Sequence, residues 1–349
     1  MQNILKIIIS FIAYHVKLWH LLYTIFPFFK GKHLLVVLTF HRVIPKNKTK
    51  DFVINYDIGQ DNKNYEMVLQ QISKYFKIIN IEEFINYVNG SKVLKQHSVL
   101  ITFDDADYNF MDYALPILKE NHWPAVIFAP TGYIETGEHF WHLRISNMVN
   151  RMDNQSWQHV ISNKSIFSDK IQNIIDNYPE YSRSLYFPLC RDLIIHLNTI
   201  KDNDIYFIVD QFEMLVGKPY SLGIKCMDWE QLKILDKNEI MIESHSKTHR
   251  KLEYLEEEEL LSEFIESKLT IETKINNKVK AFCYPAGSYN EKVVEIIGIT
   301  DYKIAFTTQQ GLCQTPLEKS ELYKIPRLSI GGKNKIEINF EIGKLLFNK

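Results

Sequence analysis

The sequence has few cysteines and no strong excess of either charge. Its four cysteines, Cys190, Cys226, Cys283 and Cys313, are widely spaced and form no C-x-x-C pair. A disulfide framework is therefore disfavoured, and a reducing compartment is permitted. The formal net charge is -1 and no long basic block occurs, which disfavours nucleic acid as a main partner. At 349 residues and 46% hydrophobic content, the chain can form one large domain or two ordinary ones.

An uninterrupted apolar segment of membrane-spanning length is also missing from the N-terminal part. Residues 4–29 are apolar, but Lys6, Ser10, Lys17 and Thr24 recur at helical spacing and form a polar stripe. A spanning helix needs about 20 apolar residues, and Lys17 would cost about 2.5–3.5 kcal/mol at the bilayer centre. No small-residue cleavage site follows, which disfavours a secretory signal. The segment is predicted to lie in a membrane interface or to pack its apolar face on the protein's own core.

One apolar run in the first half of the chain ends in three carboxylates. Residues 98–103 have the length and composition of a buried strand, and Asp104, Asp105 and Asp107 follow directly. Carboxylates this close raise one another's pKa and resist desolvation. We therefore expect a positive charge beside them, most simply a metal ion. The ordinary alternative is a polar turn that caps the next helix.

Three other predicted strands end in residues with reactive or polar side chains, at His41, His245 and Tyr284. Strand and helix patterns alternate before residue 131 and again after residue 225, which predicts parallel strands joined by crossover helices. In an α/β barrel the carboxyl ends of the strands meet on one face, where active sites lie. We therefore expect these strand ends to form one site.

A pair of histidines adds a metal-binding pattern to this expected site. His245 and His249 form H-x-x-x-H, a spacing used to hold zinc. Because the chain has 12 histidines and such a spacing can arise by chance, the pair alone is weak evidence for a metal site. Together with a strand-end carboxylate, it would give two His and one Asp with room for a water molecule.

The alternation of strands and helices stops between residues 132 and 224, where amphipathic helical patterns predict a largely helical insertion. Within it, Trp141 either stacks on a sugar or lies in the core of the insertion, and the residues leave both open. The predicted organisation is an N-terminal helix and hinge at 1–32, a barrel formed by 33–131 and 225–340, and the insertion at 132–224.

These motifs resemble those of the polysaccharide deacetylases, the carbohydrate esterases that share the nodulation-type deacetylase domain. Thr-Phe-Asp-Asp at 102–105 matches the first motif, Ser-His-Ser-Lys-Thr-His at 244–249 the metal-binding second, and Phe-Cys-Tyr-Pro-Ala-Gly at 282–287 the third. Phe-His-Arg-Val at 40–43 is similar to a segment of the circularly permuted branch, which includes poly-N-acetylglucosamine deacetylases. The resemblance implies a distorted (β/α) barrel.

The resemblance also implies roles for individual residues. Asp105, His245 and His249 would bind a divalent metal, most simply Zn²⁺, and Asp104 would be the general base. An oxyanion would be stabilised by the metal and by a backbone N–H near Tyr284. Oxyanion stabilisation and substrate binding are assigned to Tyr284, Pro285, Arg327, Trp229 and Trp141.

The sequence departs from the family pattern at three points. No histidine follows His249, so the late L-x-H motif that usually supplies the general acid is absent. The permuted branch takes its acid from the early motif, which implies His41. Ala106 replaces the usual Gly after the tandem Asp, so this turn needs a compatible backbone. The third motif lacks its Arg, and Arg327 is predicted to orient Asp104 instead, with a surface position as the alternative.

The predicted function is metal-dependent hydrolysis of the acetamide of N-acetylated sugars, as in exopolysaccharide biosynthesis. The substrate would be an oligo- or polysaccharide, free or lipid-linked, with peripheral membrane contact through residues 4–29 and no nucleic acid. The protein would be bacterial and cytoplasmic or membrane-associated. A glycan O-acetyl esterase and an inactive glycan-binding barrel are the alternatives.

Overall fold

The computed structural model describes most of the chain from residue 33 onward. The described ranges are 33–45, 59–217, 225–236, 239–313, 315–330, 336–338 and 340–341. The predicted N-terminal helix at 4–29 lies outside these ranges. The described residues divide into two compact units. One contains the parts before Thr136 and from Cys226 onward, and the other contains the stretch from Thr136 to Lys225.

The strands of the first unit, in chain order, are β1 (Leu35–Phe40), β2 (Arg42–Ile44), β3 (Gly59–Asp61), β4 (Lys77–Ile79), β5 (Ser98–Phe103), β6 (Ala125–Ala129), β7 (Ile240–Ser244), β8 (Ala281–Cys283), β9 (Ile304–Gln310) and β10 (Ile325–Ser329). Seven of them close a parallel barrel in the order β1-β10-β9-β8-β7-β6-β5, and β5 pairs back to β1. Strand β4 pairs with the first half of β5 outside this ring. The predicted distorted (β/α) barrel is confirmed.

The helices are α1 (Asn62–Ile72), α2 (Ile81–Val88), α3 (Leu115–Glu120), α4 (Thr131–Thr136), α5 (Trp141–Arg151), α6 (Asn154–Ser162), α7 (Asp169–Asp176), α8 (Tyr186–Leu197), α9 (Asp202–Val216), α10 (Trp229–Asp236), α11 (Glu257–Ile275) and α12 (Glu291–Gly298). None of the described helices combines the length and the apolar composition that crossing a membrane requires.

The barrel strands are buried on both faces, and β1 and β5 are buried at every position. This is why their sequences are continuous apolar runs instead of alternating ones. Successive residues still separate into two clusters: Val37 and Leu100 pack inside the barrel with Phe84 of α2, whereas Val36 and Ile101 pack toward the surrounding helices. The residues of the predicted site follow the carboxyl ends of these strands.

A short two-stranded parallel sheet, β2 with β3, differs from the sequence prediction. The polar composition of residues 46–62 predicts a loop, but Gly59 near its end pairs with Arg42. A strand of three residues containing glycine carries no periodic signal, so tertiary pairing determines it.

The second unit is helical and has its own core. Trp157, Leu189 and Val209 are fully buried there, and the Trp157 indole N–H donates to the Tyr178 carbonyl at 2.6 Å. Trp141 belongs to the same cluster and is 8% exposed. Of the two possibilities for Trp141, the core position is the one observed.

Candidate metal centre and active site

Asp105, His245 and His249 converge on one point at the carboxyl end of the barrel. The Asp105 Oδ1 lies 3.5 Å from His245 Nε2 and 3.3 Å from His249 Nε2. Ligands at about 2.0–2.2 Å from a tetrahedral metal would be separated by about this distance. The Asp105 Oδ1 is buried and has no hydrogen-bond partner among the described residues. An orphaned carboxylate oxygen facing two imidazole nitrogens fits a divalent cation.

His245 is oriented with one ring nitrogen left for a metal. Its backbone N–H donates to the Ala129 carbonyl at 3.1 Å, and its Nδ1 lies 2.8 Å from the Cys283 carbonyl oxygen. A carbonyl only accepts, so this contact requires the proton on Nδ1. The Nε2 lone pair is then free to ligate, which is the usual arrangement of a metal-binding histidine.

The turn after β5 has an unusual backbone. Asp105 (φ 71°) and Ala106 (φ 50°) both adopt the left-handed conformation, which L-residues rarely occupy. The Met227 N–H donates to the Ala106 carbonyl at 2.8 Å, and the Cys226 thiol contacts the Asp105 carbonyl. The segment before α10 therefore stabilises this turn, in which Ala106 stands where the family resemblance implies a glycine.

Asp104 forms a two-pronged ion pair with Arg327. The two guanidinium nitrogens donate to the two carboxylate oxygens at 2.8 and 2.7 Å. Burial raises the pKa of Asp104, but the charge and hydrogen bonds of Arg327 outweigh it and bring the pKa to about 2. Arg327 is 1% exposed, so the surface alternative for this residue was wrong.

His41 faces the same carboxylate. Its Nε2 lies 3.7 Å from Asp104 Oδ2, and 26% of its side chain is exposed. Burial lowers the pKa of His41, and the charges of Asp104 and Asp105 oppose this shift. A protonated His41 is therefore a stronger acid than free imidazole, which suits donation of a proton to a leaving group.

A second buried ion pair joins the start of β2 to the turn after β5. The Arg42 Nε donates to Asp107 Oδ2 at 2.7 Å, and Asp107 Oδ1 accepts from the Asn109 backbone and side chain. Asp107 thus closes a local turn with Asn109, but it does not cap the helical turn Phe110–Ala114 that follows. Sequence reasoning missed Arg42 because its partner lies 65 residues away; its one sequence signal was its position beside His41.

The predicted oxyanion and substrate residues are placed less favourably. The Tyr284 N–H donates to the Phe306 carbonyl at 3.1 Å, so it is used by the barrel and does not serve an oxyanion. The Tyr284 side chain and Pro285 are buried, and the Tyr284 hydroxyl donates to the Tyr323 carbonyl. Trp229 is half-buried against the core of the first unit. Trp141 lies in the core of the second unit.

A sequence model of the family described as polysaccharide deacetylase matches residues 91–182 and 197–305, more than half of the chain. The chain belongs to the polysaccharide deacetylase family. The resemblance inferred from the motifs is confirmed at this level.

Curated members of this family with similar sequences come from staphylococci. The poly-beta-1,6-N-acetyl-D-glucosamine N-deacetylase of Staphylococcus epidermidis is 30% identical over 189 residues, covering 45% of this chain and 65% of that protein. The enzyme of the same name from Staphylococcus aureus is 31% identical over 115 residues, covering 31% of this chain and 39% of that protein. The chain thus aligns with less than two thirds of each relative.

Solved structures share the fold over nearly the whole chain. The Streptococcus pyogenes deacetylase PplD superposes with a TM-score of 0.57 at 16% identity, covering 90% of this chain and 98% of that one. IcaB from Ammonifex degensii gives 0.55 at 14% identity, with coverages of 90% and 97%. At these identities the likeness establishes the fold.

Proposed function

We propose that the chain is a metal-dependent N-deacetylase that hydrolyses the acetamide of N-acetylglucosamine residues in a β-1,6-linked polysaccharide. One observation carries the proposal: an ionised carboxylate, Asp104, lies beside a set of two imidazoles and one carboxylate that fits a metal. The staphylococcal relatives support the choice of substrate. A carboxylate and an imidazole at the same centre, Asp104 and His41, could accept and donate a proton, which supports hydrolysis rather than binding alone.

The chain's own residues divide the reaction between them. Asp105, His245 and His249 would hold the cation, and a nitrogen-rich set with one carboxylate favours Zn²⁺. When bound, the cation would polarise the acetamide carbonyl and lower the pKa of a water. Asp104 accepts a proton from the attacking water, and Arg327 keeps this carboxylate ionised and fixed in orientation. His41 donates a proton to the amine nitrogen as the C–N bond breaks.

The test is acetate release from a β-1,6-linked N-acetylglucosamine oligomer, with bound zinc measured in the same preparation. Asp104→Asn should reduce turnover by about 100- to 10,000-fold while leaving the zinc content unchanged, because Asp104 is not a ligand in this scheme. Asp112→Asn is the matched control, since Asp112 also lies in the segment that follows β5 and its side chain is exposed. Full turnover by Asp104→Asn, or purified protein that binds no metal, would refute the proposal.

We also propose that residues 4–29 bring the enzyme to a membrane surface, where lipid-linked or nascent polysaccharide is presented. The support is the polar stripe on an otherwise apolar segment. Co-sedimentation with anionic liposomes compares the full chain with one that starts at Gly31. Equal binding by the two proteins would rule this proposal out.

A further inference from the structure

We propose that Glu263 is a positioning residue for the metal centre: its buried carboxylate fixes the loop between the two histidine ligands. The inference rests on the metal site of the proposed function, but it does not depend on the acetamide substrate. Glu263 lies on α11, where Leu260, Phe264 and Ser267 are its buried neighbours along the same face. It was not singled out in the sequence, although an acidic residue at a core-facing helical position is itself a signal.

Glu263 binds the loop through three donors, all from the two residues at its centre. One oxygen, Oε2, accepts from the Lys247 N–H at 2.8 Å and from the Thr248 N–H at 2.9 Å. The other, Oε1, accepts from the Thr248 hydroxyl. Glu263 is 4% exposed, and burial of a carboxylate is costly unless donors compensate it. Here the compensating donors belong to the segment between His245 and His249.

This loop needs an external restraint because its backbone is strained. Ser246 (φ 65°) and His249 (φ 55°) both adopt the left-handed conformation, which persists in non-glycine residues only when the surroundings determine it. The Ser246 hydroxyl oxygen accepts from the His249 N–H at 2.9 Å, which links the two strained positions. Glu263 holds the residues between them, and it thereby presents His249 to Asp105 before a metal arrives.

The neighbouring acid on α11 shows how specific this contact is. Glu266 is half exposed and binds the Lys247 ammonium and the Ser262 hydroxyl. Both contacts are to side chains, so Glu266 does not restrain the backbone of the loop. Glu266 is thus a matched control on the same helix.

The experiment measures zinc affinity of the full-length protein by competition with a chromogenic chelator, together with the thermal midpoint of the metal-free form. Glu263→Ala should weaken zinc binding about 10- to 100-fold, as loss of an outer-sphere partner does. Glu263→Gln should bind nearly as well as the wild type, because its carbonyl can accept both N–H groups while its amide donates to the Thr248 hydroxyl. Glu266→Gln should leave the affinity unchanged.

A purely structural role would lower the midpoint without changing the affinity of the folded fraction, so unchanged affinity in Glu263→Ala would overturn the inference. If that variant does not fold, Glu263→Asp replaces it, since the shorter side chain withdraws the carboxylate from the loop. Wild-type affinity in Glu263→Asp would equally overturn the inference. Absence of zinc binding in the wild type would refute the proposed function instead.

Discussion

Arg327 contributes most to keeping Asp104 ionised. Burial alone favours the neutral acid, which cannot accept a proton, and the guanidinium of Arg327 reverses this preference and holds the pKa at about 2. The carboxylate is therefore ionised, and able to act as a base, at pH values well above 2. Because both guanidinium nitrogens bind it, its orientation is fixed along with its charge.

Replacement of Arg327 by Met should therefore shift the acidic limb of the pH–activity profile. Without the guanidinium, burial raises the pKa of Asp104, the base is protonated at low pH, and the limb moves upward by about 1–3 pH units. The measurement is kcat/KM as a function of pH. Arg327→Lys should shift the limb less, since it restores the charge without the paired contact. An unchanged limb in Arg327→Met would contradict the assignment of Asp104 as the base.

His41 should matter most when the leaving group is a poor one. We expect His41→Ala to slow cleavage of an acetamide more than cleavage of a matched acetate ester, because the amine needs protonation to leave. Zinc content should stay that of the wild type. His122→Asn is the control, since His122 precedes β6 at the opposite end of the barrel and its left-handed backbone tolerates Asn. Equal losses on both substrates would argue against His41 as the acid.

At the residue level, the sequence identifies groups whose position follows from the end of a strand. Asp104 and His41 are of this kind, because each follows a buried apolar run directly. Partners brought in from distant segments carry no such signal, which is why the pairing of Arg42 with Asp107 was missed. Tyr284 is the opposite case. Its position at the end of a strand could be identified from the sequence, but the hydrogen bond of its backbone N–H to the Phe306 carbonyl depends on strand pairing.

At the level of elements, the start of α4 is hydrogen-bonded to the loop after β7. The Gly132 N–H donates to the Lys247 carbonyl at 2.8 Å, and the Thr131 N–H donates to the Ser246 carbonyl at 3.2 Å. A Cβ on residue 132 would lie 2.8 Å from the Lys247 oxygen, closer than ordinary contact. Only glycine at position 132 therefore allows so close an approach. Lys247 lies between the two histidines of the candidate metal centre, His245 and His249.

Gly132→Ala should therefore displace the histidine loop and weaken zinc binding, while the barrel stays folded. Chelator competition measures the affinity, and circular dichroism measures the fold. Gly298→Ala is the control, because a Cβ there would meet its nearest neighbour, on Tyr323, at an ordinary 3.6 Å. If Gly132→Ala bound zinc as tightly as Gly298→Ala, the close contact between Gly132 and Lys247 would have no role in shaping the site.

Elements with strong periodic signals were predicted closely. The apolar run at 125–129 and the amphipathic pattern at 81–88 predict a strand and a helix, and the structure has Ala125–Ala129 and Ile81–Val88. The turn of π-helix at Phe110–Ala114 was not anticipated, since a local change of helical pitch leaves no pattern in the sequence. Parallel pairing followed from the alternation of strands and helices, and the closed barrel was implied by the family resemblance. The order in which the strands pair needed the structure.

At the scale of the whole molecule, the candidate metal centre joins segments that are far apart in sequence. Asp105 follows β5 and both histidines follow β7, with the second unit inserted between them. A bound cation would cross-link these segments in the folded state and find no preformed site in the unfolded chain. Metal binding should therefore be coupled to global stability as well as to activity.

We expect zinc to raise the thermal midpoint of the full-length protein and chelation to lower it. At free zinc about 100-fold above its Kd, the stabilisation is about 2.7 kcal/mol. Scanning calorimetry with and without chelator measures this difference. Asp105→Ala should abolish it, because the ligand set loses its carboxylate, whereas Asp104→Asn should retain it even though its catalysis is lost. A midpoint that responds to zinc equally in Asp105→Ala and the wild type would place the metal elsewhere, because only a site without Asp105 could give that result.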